Sequence, residues 1–340
     1  SVKTIGEGAF VKTATLKALS VANDNIVIDG PIFSTETGKN PKTSSEYNKA
    51  PLRIYCGKGS TTQQYINDYF TEGNLIYSAE FQGTGGGYDG TKKDYVYPQD
   101  KGFEFINGYL CGPAVYYTYN DDKTEVEISA DADSALAKTM DTYVWNVSYK
   151  ESPFKNKTDL KEIRINEGVT NISNLAFEGC KSVELLGVAK SVTKIGGSIF
   201  ANNKALKYVF VPNAATTIED GSFNGCPTNT RFYGYDESAA KTFADKKEFP
   251  FTAIDGNTMI IPEIANGKLS VYAKDAAEDA NVILKNSDNT SIVPKTVNLS
   301  AGLNTIKADD LNISDYADGK CYLWDSISGM HPKCAATTLK

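Results

Sequence analysis

The feature that most constrains this chain is a segment that repeats itself every 23 residues without a gap. Leu160, Ile163, Ile165, Val169, Ile172, Phe177 and Cys180 recur as Val183, Leu186, Val188, Val192, Ile195, Phe200 and Asn203. They recur again as Leu206, Val209, Val211, Ile218, Phe223 and Cys226. A unit this short cannot bury its own apolar side chains, so it must stack on copies of itself, with coils about 4.8 Å apart. The Leu-x-x-Ile-x-Ile stretch reads as a strand with its last two apolar residues turned inward. The later Phe177, Phe200 and Phe223 are then expected to form one buried aromatic column. The same frame opens the chain, where Ile5 and Phe10 are followed 23 residues on by Ile28 and Phe33, with Leu16, Leu19 and Val21 at strand positions. Counting back from Leu16 runs past residue 1. The first repeat is therefore expected to lack its strand, and the chain to be a piece of a longer protein.

A length of 340 residues exceeds one ordinary core and sets an expectation of two or three domains. The net charge of −7 argues against a nucleic-acid partner, which needs clustered positive charge. No run of 18 apolar residues exists, so no membrane insertion is expected in this chain. His331 is the single histidine, which removes many acid–base and metal mechanisms. The six cysteines are scattered without a Cys-x-x-Cys pair, unlike a zinc site. His331 and Cys334 lie three apart but lack an orienting partner, so no nucleophile pair is assigned. Cys321 and Cys334 remain candidates for a disulfide, which an exported protein permits. The acidic clusters Asn120–Asp122 and Asp131–Asp133 lack the spacing of a calcium loop and read as solvated turns. No catalytic residue, cofactor or metal ligand is assigned, and the chain is not expected to be an enzyme.

An array of coils must close its open core at both ends. Two segments offset by 178 residues read as one closing unit, a short strand, a Ser N-cap and an amphipathic helix. They are Ile54-Tyr55 with the helix after Ser60, and Phe232-Tyr233 with the helix after Ser238, the latter followed by a strand in Phe249–Ile254. Ser34 to Lys49 is polar and reads as a loop inserted in the first array. Gly83 to Gly90, five glycines in eight residues, reads as a flexible linker. Val115–Tyr119 and Glu125–Ile128 read as a hairpin around a polar turn. From Met259 the pattern changes to short strands, in Lys268–Tyr272, Asn281–Lys285, Thr296–Leu299, Asn304–Ile306 and Lys320–Trp324, which suggests a β-sandwich. The expected division is a first array at 1–82, a linker at 83–107, a second array with its hairpin cap at 108–257 and the sandwich at 258–340.

The stretch Ile172-Ser-Asn-Leu-Ala-Phe177-Glu-Gly-Cys180 resembles the BspA-like leucine-rich repeats of surface proteins from gut and oral bacteria, and Ile5 to Phe10 fits the same pattern. The resemblance covers roughly residues 1–80 and 108–254. Cys111-Gly112 before the hairpin, with Ser152-Pro153-Phe154, looks like the N-terminal cap of such arrays. Leu323-Trp324-Asp325-Ser326 with Met330 and Pro332 resembles the end of immunoglobulin-like accessory modules in clostridial surface and carbohydrate-active proteins. The resemblance implies a mainly β chain with short helices, two leucine-rich-repeat solenoid arrays and a C-terminal β-sandwich. It also implies that Cys180, Asn203 and Cys226 occupy one site where a side chain satisfies turn backbone. An extracellular location follows, secreted or anchored at the cell surface.

Residues flanking the inward strand positions point to the concave face. They are Glu162 and Arg164, Leu185 and Gly187, Tyr208 and Phe210, with Tyr233 from the closing strand. Leu185, Tyr208, Phe210 and Tyr233 would form an apolar ladder that solvent disfavours, unless a ligand, the C-terminal domain or another copy covers it. These four, with Glu162 and Arg164, are the candidate binding residues. The expected function is non-enzymatic adhesion or recognition by a monomer, with a host or matrix protein or a glycan as partner. The alternative is an accessory region of a larger surface enzyme whose catalytic domain lies outside this chain.

Overall fold

The computed structural model describes residues 2–6, 9–10, 18–29, 52–69, 103–143, 151–254, 256–265, 268–287, 292–307, 318–325, 328 and 331–339. The expected loop at 34–49 and the glycine-rich stretch at 83–90 lie outside them. Two compact units are present, Ser1–Leu110 and Cys111–Lys340.

In the first unit, β1 (Thr4–Gly6) pairs parallel with β3 (Val27–Asp29), setting Ile5 beside Ile28 as the 23-residue frame requires. A parallel sheet joins β2 (Ala18–Val21), β4 (Leu52–Cys56) and β5 (Phe103–Asn107), with β4 in the middle, and the short β6 (Tyr109–Leu110) follows β5. The helix α1 (Thr61–Tyr69) follows β4, and Ser60 Oγ accepts from the amide of Gln63 at 3.1 Å. One boundary differs from the sequence expectation: Phe103–Asn107, placed in the linker, is a strand whose whole length pairs with β4. Its alternating Phe103 and Phe105 carry the period-2 signal of a strand, which the neighbouring glycines obscured.

In the second unit the coils stack in register. The strands β9 (Glu162–Ile165), β11 (Leu185–Val188), β13 (Tyr208–Phe210) and β15 (Arg231–Gly234) are parallel neighbours. Glu162 sits beside Leu185, Leu185 beside Tyr208 and Tyr208 beside Arg231. The return side is a second parallel sheet of β10 (Asn171–Ile172), β12 (Lys194–Ile195) and β14 (Thr217–Ile218). Between them lies the core, with Ile163, Leu186, Val209 and Phe232 all fully buried. The rings of Phe177 and Phe200 stack at 5.4 Å and those of Phe200 and Phe223 at 6.1 Å. Phe154 extends the column below Phe177 at 5.3 Å.

Each coil turns through a left-handed residue after that column, at Asn156, Gly179, Asn202 and Gly225, with φ between 60° and 79°. Gly and Asn are the two residue types that adopt this conformation most readily, so their alternation 23 residues apart is a backbone requirement. The following residue satisfies the turn. Asn203 donates to the carbonyls of Cys180 and Val183 at 2.6 and 3.2 Å, while its Oδ1 accepts from Ala205 and Leu206. Cys180 donates its thiol to Phe154 O at 3.0 Å, and Cys226 to Phe200 O at 3.5 Å.

Burial pushes the Cys180 and Cys226 thiols up to about 12. Two coils also separate them, about 10 Å at strand spacing, beyond the roughly 7 Å that a disulfide tolerates. A thiol reagent at pH 8 is expected to leave both unlabelled until denaturant is added. Non-reducing peptide mapping that joined them would contradict the coil geometry.

The array is closed at both ends. The hairpin of β7 (Val115–Tyr119) and β8 (Glu125–Ala130) adds β8 parallel to β9, and Tyr117 packs edge-on against Phe154 at 4.8 Å. At the far end α2 (Ala239–Lys246) starts at Ser238, whose side chain accepts from the amide of Lys241. The helix buries Phe243 against Phe223 and Phe232, and β16 (Phe251–Ala253) pairs with β15 as the last strand.

Beyond it, two antiparallel sheets share one core. One holds β17 (Thr258–Ala265), β18 (Lys268–Ala273) and β21 (Gly302–Lys307). The other holds β19 (Ala277–Lys285), β20 (Ile292–Leu299), β22 (Lys320–Trp324) and β23 (Thr337–Thr338). Leu269, Val271 and Ala273 meet Val282, Leu284, Cys321 and Leu323 between them. Cys321 and Cys334 are free thiols in or against this core.

Candidate functional site

Strand register determines what the array presents on its concave face. One row runs Glu125, Glu162, Leu185, Tyr208 and Arg231, and the next runs Glu127, Arg164, Gly187, Phe210 and Tyr233. The rows are charged at the hairpin end and carry Tyr208, Phe210 and Tyr233 toward the closing end, where the first row finishes on Arg231. Tyr208 and Tyr233 lie 6.4 Å apart, and Phe210 stacks on Tyr233 at 4.6 Å.

The aromatic half does not face solvent. All six residues of β18 are buried, because alternate side chains serve two different neighbours. Leu269, Val271 and Ala273 enter the core of the C-terminal sheets, while Lys268 and Tyr272 meet the array. Tyr272 stacks on Phe210 at 6.0 Å, and its hydroxyl lies 3.2 Å from that of Tyr235. Burial pushes the Tyr272 phenol upward. Ile254, Ile261, Met259 and Leu303 complete the cluster. Gly187 is the socket for Leu303: a Cβ there would lie 2.8 Å from Leu303 Cδ2.

The charged half is held by ion pairs. Lys268 Nζ binds Glu125 and lies 3.2 Å from Glu162 Oε2, with only 8% of its side chain exposed. Arg164 reaches Glu127 at 2.7 Å and Glu162 at 3.3 Å. Glu162 is 2% exposed, so its carboxylate depends on these two cations. An unpaired charge at such depth costs several kcal/mol.

The six candidate residues are thus brought together, but not as an open ladder. Leu185, Phe210, Tyr233 and Glu162 are buried, and Tyr208 is half-buried beside them. Of the three coverings left open by the sequence, the chain's own C-terminal sheets occupy the face. Arg164 alone among the six lines an open cleft of about 540 Å³, with Glu127, Ser129, Asn166 and Ala189 on the array side and Ser300–Asn304 opposite. Sequence reasoning missed Lys268 and Leu303. The alternation in Lys268-Leu-Ser-Val-Tyr272 was legible, but its polar side reads as a solvent face when no partner is in view.

Elsewhere, His331 pairs with Asp325 at 3.0 Å on the surface, not with Cys334. In the turn at Asn120–Thr124, Asp122 accepts from Thr124 and is held below the usual carboxylate range by those bonds. No group of metal-ligating side chains occurs among the described residues.

Comparison with known proteins agrees with the repeat. Residues 147–241 match six copies of the BspA type Leucine rich repeat region. No curated protein matches the chain. Among solved structures, a leucine-rich repeat protein from Eubacterium ventriosum matches with 18% identity and a TM-score of 0.29, over 48% of this chain. The chain spans about half the length of that protein, 47% of it. The segment from 147 to 241 is thus similar to a BspA-type leucine-rich repeat region, and the chain is mainly β among its described residues.

Proposed function

We propose that the chain is a non-enzymatic recognition protein working outside a bacterial cell, secreted or held at its surface. Its two solenoid arrays supply the recognition surface, and an immunoglobulin-like C-terminal sandwich braces the second array. The partner is a host or matrix protein or a glycan. The observation that carries this reading is the division of the concave face in the second array. The aromatic part is spent on the chain's own sandwich, which leaves a rigid polar cleft with paired charges open to solvent. Strand-borne side chains fixed by register and ion pairs are preorganised for binding. The repeat family supports an interaction role. Surface plasmon resonance of the purified chain against immobilised matrix proteins and glycans tests the reading. Saturable binding with Kd tighter than about 1 mM is expected. A chain that bound none of them would overturn it, and turnover of any of them would favour the accessory-enzyme reading.

A further inference from the structure

The open cleft has a chemistry that selects among ligands. On its floor Glu127 lies beside Arg164 in strand register, and Asn166, just past β9, is bonded to Ser129 of β8. Ala189 lines the cleft beyond them, and at Gly187 the side chain of Leu303 comes down onto the floor and closes that end. The opposite wall is the turn from Ser300 to Asn304, where Asn304 fixes the backbone through Ser300 N, Ser300 O and Gly302 O.

Each of these pairs sets an acceptor beside a donor. Glu127 presents a carboxylate that is 44% exposed, 2.7 Å from the Arg164 guanidinium. Arg164 pairs with Glu127 through Nη2, and its Nε lies 3.3 Å from Glu162 Oε1 without a hydrogen bond; a guanidinium carries five N–H donors, more than these two contacts use. Asn166 donates to Ser129 Oγ at 2.9 Å, leaving the amide oxygen to accept and the hydroxyl proton to donate. Glu167 is committed to the backbone amides of Lys190 and Ser191.

Charge decides against the simpler occupants. Glu127 and Glu167 against Arg164 leave one net negative charge in the lining, so an anion meets repulsion. An ammonium ion meets Arg164 in the middle of the floor. An apolar ligand would strip water from Glu127, Arg164, Ser129 and Asn166 without replacing their hydrogen bonds. Adjacent hydroxyls fit: one donates to Glu127, its neighbour accepts from Arg164, and neither needs a charge of its own. We propose that this cleft is a saccharide-binding site, in which the Glu127–Arg164 and Ser129–Asn166 pairs read hydroxyl groups.

The proposal rests on the reading of the chain as a recognition protein, and the test separates the two. Saturation-transfer NMR is run on the full chain with maltotriose, cellotriose, chitotriose and lactose, and with sodium acetate as a carboxylate probe. At least one saccharide should bind with Kd of about 1 mM or tighter, and acetate should not displace it. Glu127→Gln removes the charge and replaces one acceptor oxygen by an NH2 donor at a half-exposed position, and should weaken binding about tenfold. Ala301→Trp, on the exposed turn, should plug the cleft and abolish binding, and both variants should melt like the parent. Saccharide binding unchanged in both variants would overturn the site. Binding of none of the saccharides, or of acetate in their place, would overturn it as well. If a matrix protein still bound the chain in those cases, the recognition reading would survive.

Discussion

Truncating Phe200 to alanine is expected to cost about 3–5 kcal/mol, the loss typical of a fully buried aromatic. The ring lies between Phe177 and Phe223, at 5.4 and 6.1 Å, and is inaccessible to solvent. The cavity cannot collapse, because the coils on either side are pinned in register by parallel strands on both faces of the core. For a unit of this size, thermal unfolding should shift down by roughly 10 °C. Calorimetry checks it; a shift within a degree or two would mean that the column does not bear on stability.

Replacing both Tyr208 and Phe210 by aspartate is expected to destabilise the second unit by more than about 4 kcal/mol. On an open ladder the same pair would be nearly silent, since surface substitutions usually stay within about 0.5 kcal/mol. The difference lies in what covers them. Phe210 is fully buried between Tyr233 and Tyr272, so a carboxylate there has neither water nor a cation in place of the ring. Chemical denaturation should show an early loss of the contact between β18 and the array. Hydrogen exchange at the amides of β18 follows it. An unchanged melting curve would show that the C-terminal sheets do not rest on this face in solution.

What the sequence made legible follows from local periodicity. A repeat of 23 residues places Ile163, Leu186 and Val209 at equivalent inward positions, and no long-range information is needed to see it. The N-capped helix after Ser238 was legible for the same reason, as was the hairpin from Val115 to Ala130. The same strand register sets Glu162, Arg164, Leu185, Tyr208, Phe210 and Tyr233 on neighbouring strands. What occupied that surface was not legible, because Lys268 and Leu303 lie 106 and 116 positions beyond Glu162 and Gly187 respectively, with nothing periodic linking them. The alternating strand Lys268–Tyr272 looks amphipathic when read alone. Only the folded chain shows that its polar side carries a cation for two glutamates and a ring for Phe210. The left-handed row at Asn156, Gly179, Asn202 and Gly225 was visible in the sequence as a Gly or Asn every 23 residues, but its backbone meaning needs the φ angles.

A strand buried on both sides changes where this chain can be cut. The composition shift near residue 258 invites a boundary there, yet Cys111–Lys340 is one compact unit. A fragment ending at residue 257 would bare Leu185, Phe210 and Tyr233, and one starting at 258 would bare Tyr272 and leave Lys268 without its glutamates. Both pieces would present the sticky surface that drives aggregation. In the intact chain the amide protons of β18 should exchange only when the array itself opens, so array and C-terminal sheets unfold as one cooperative element.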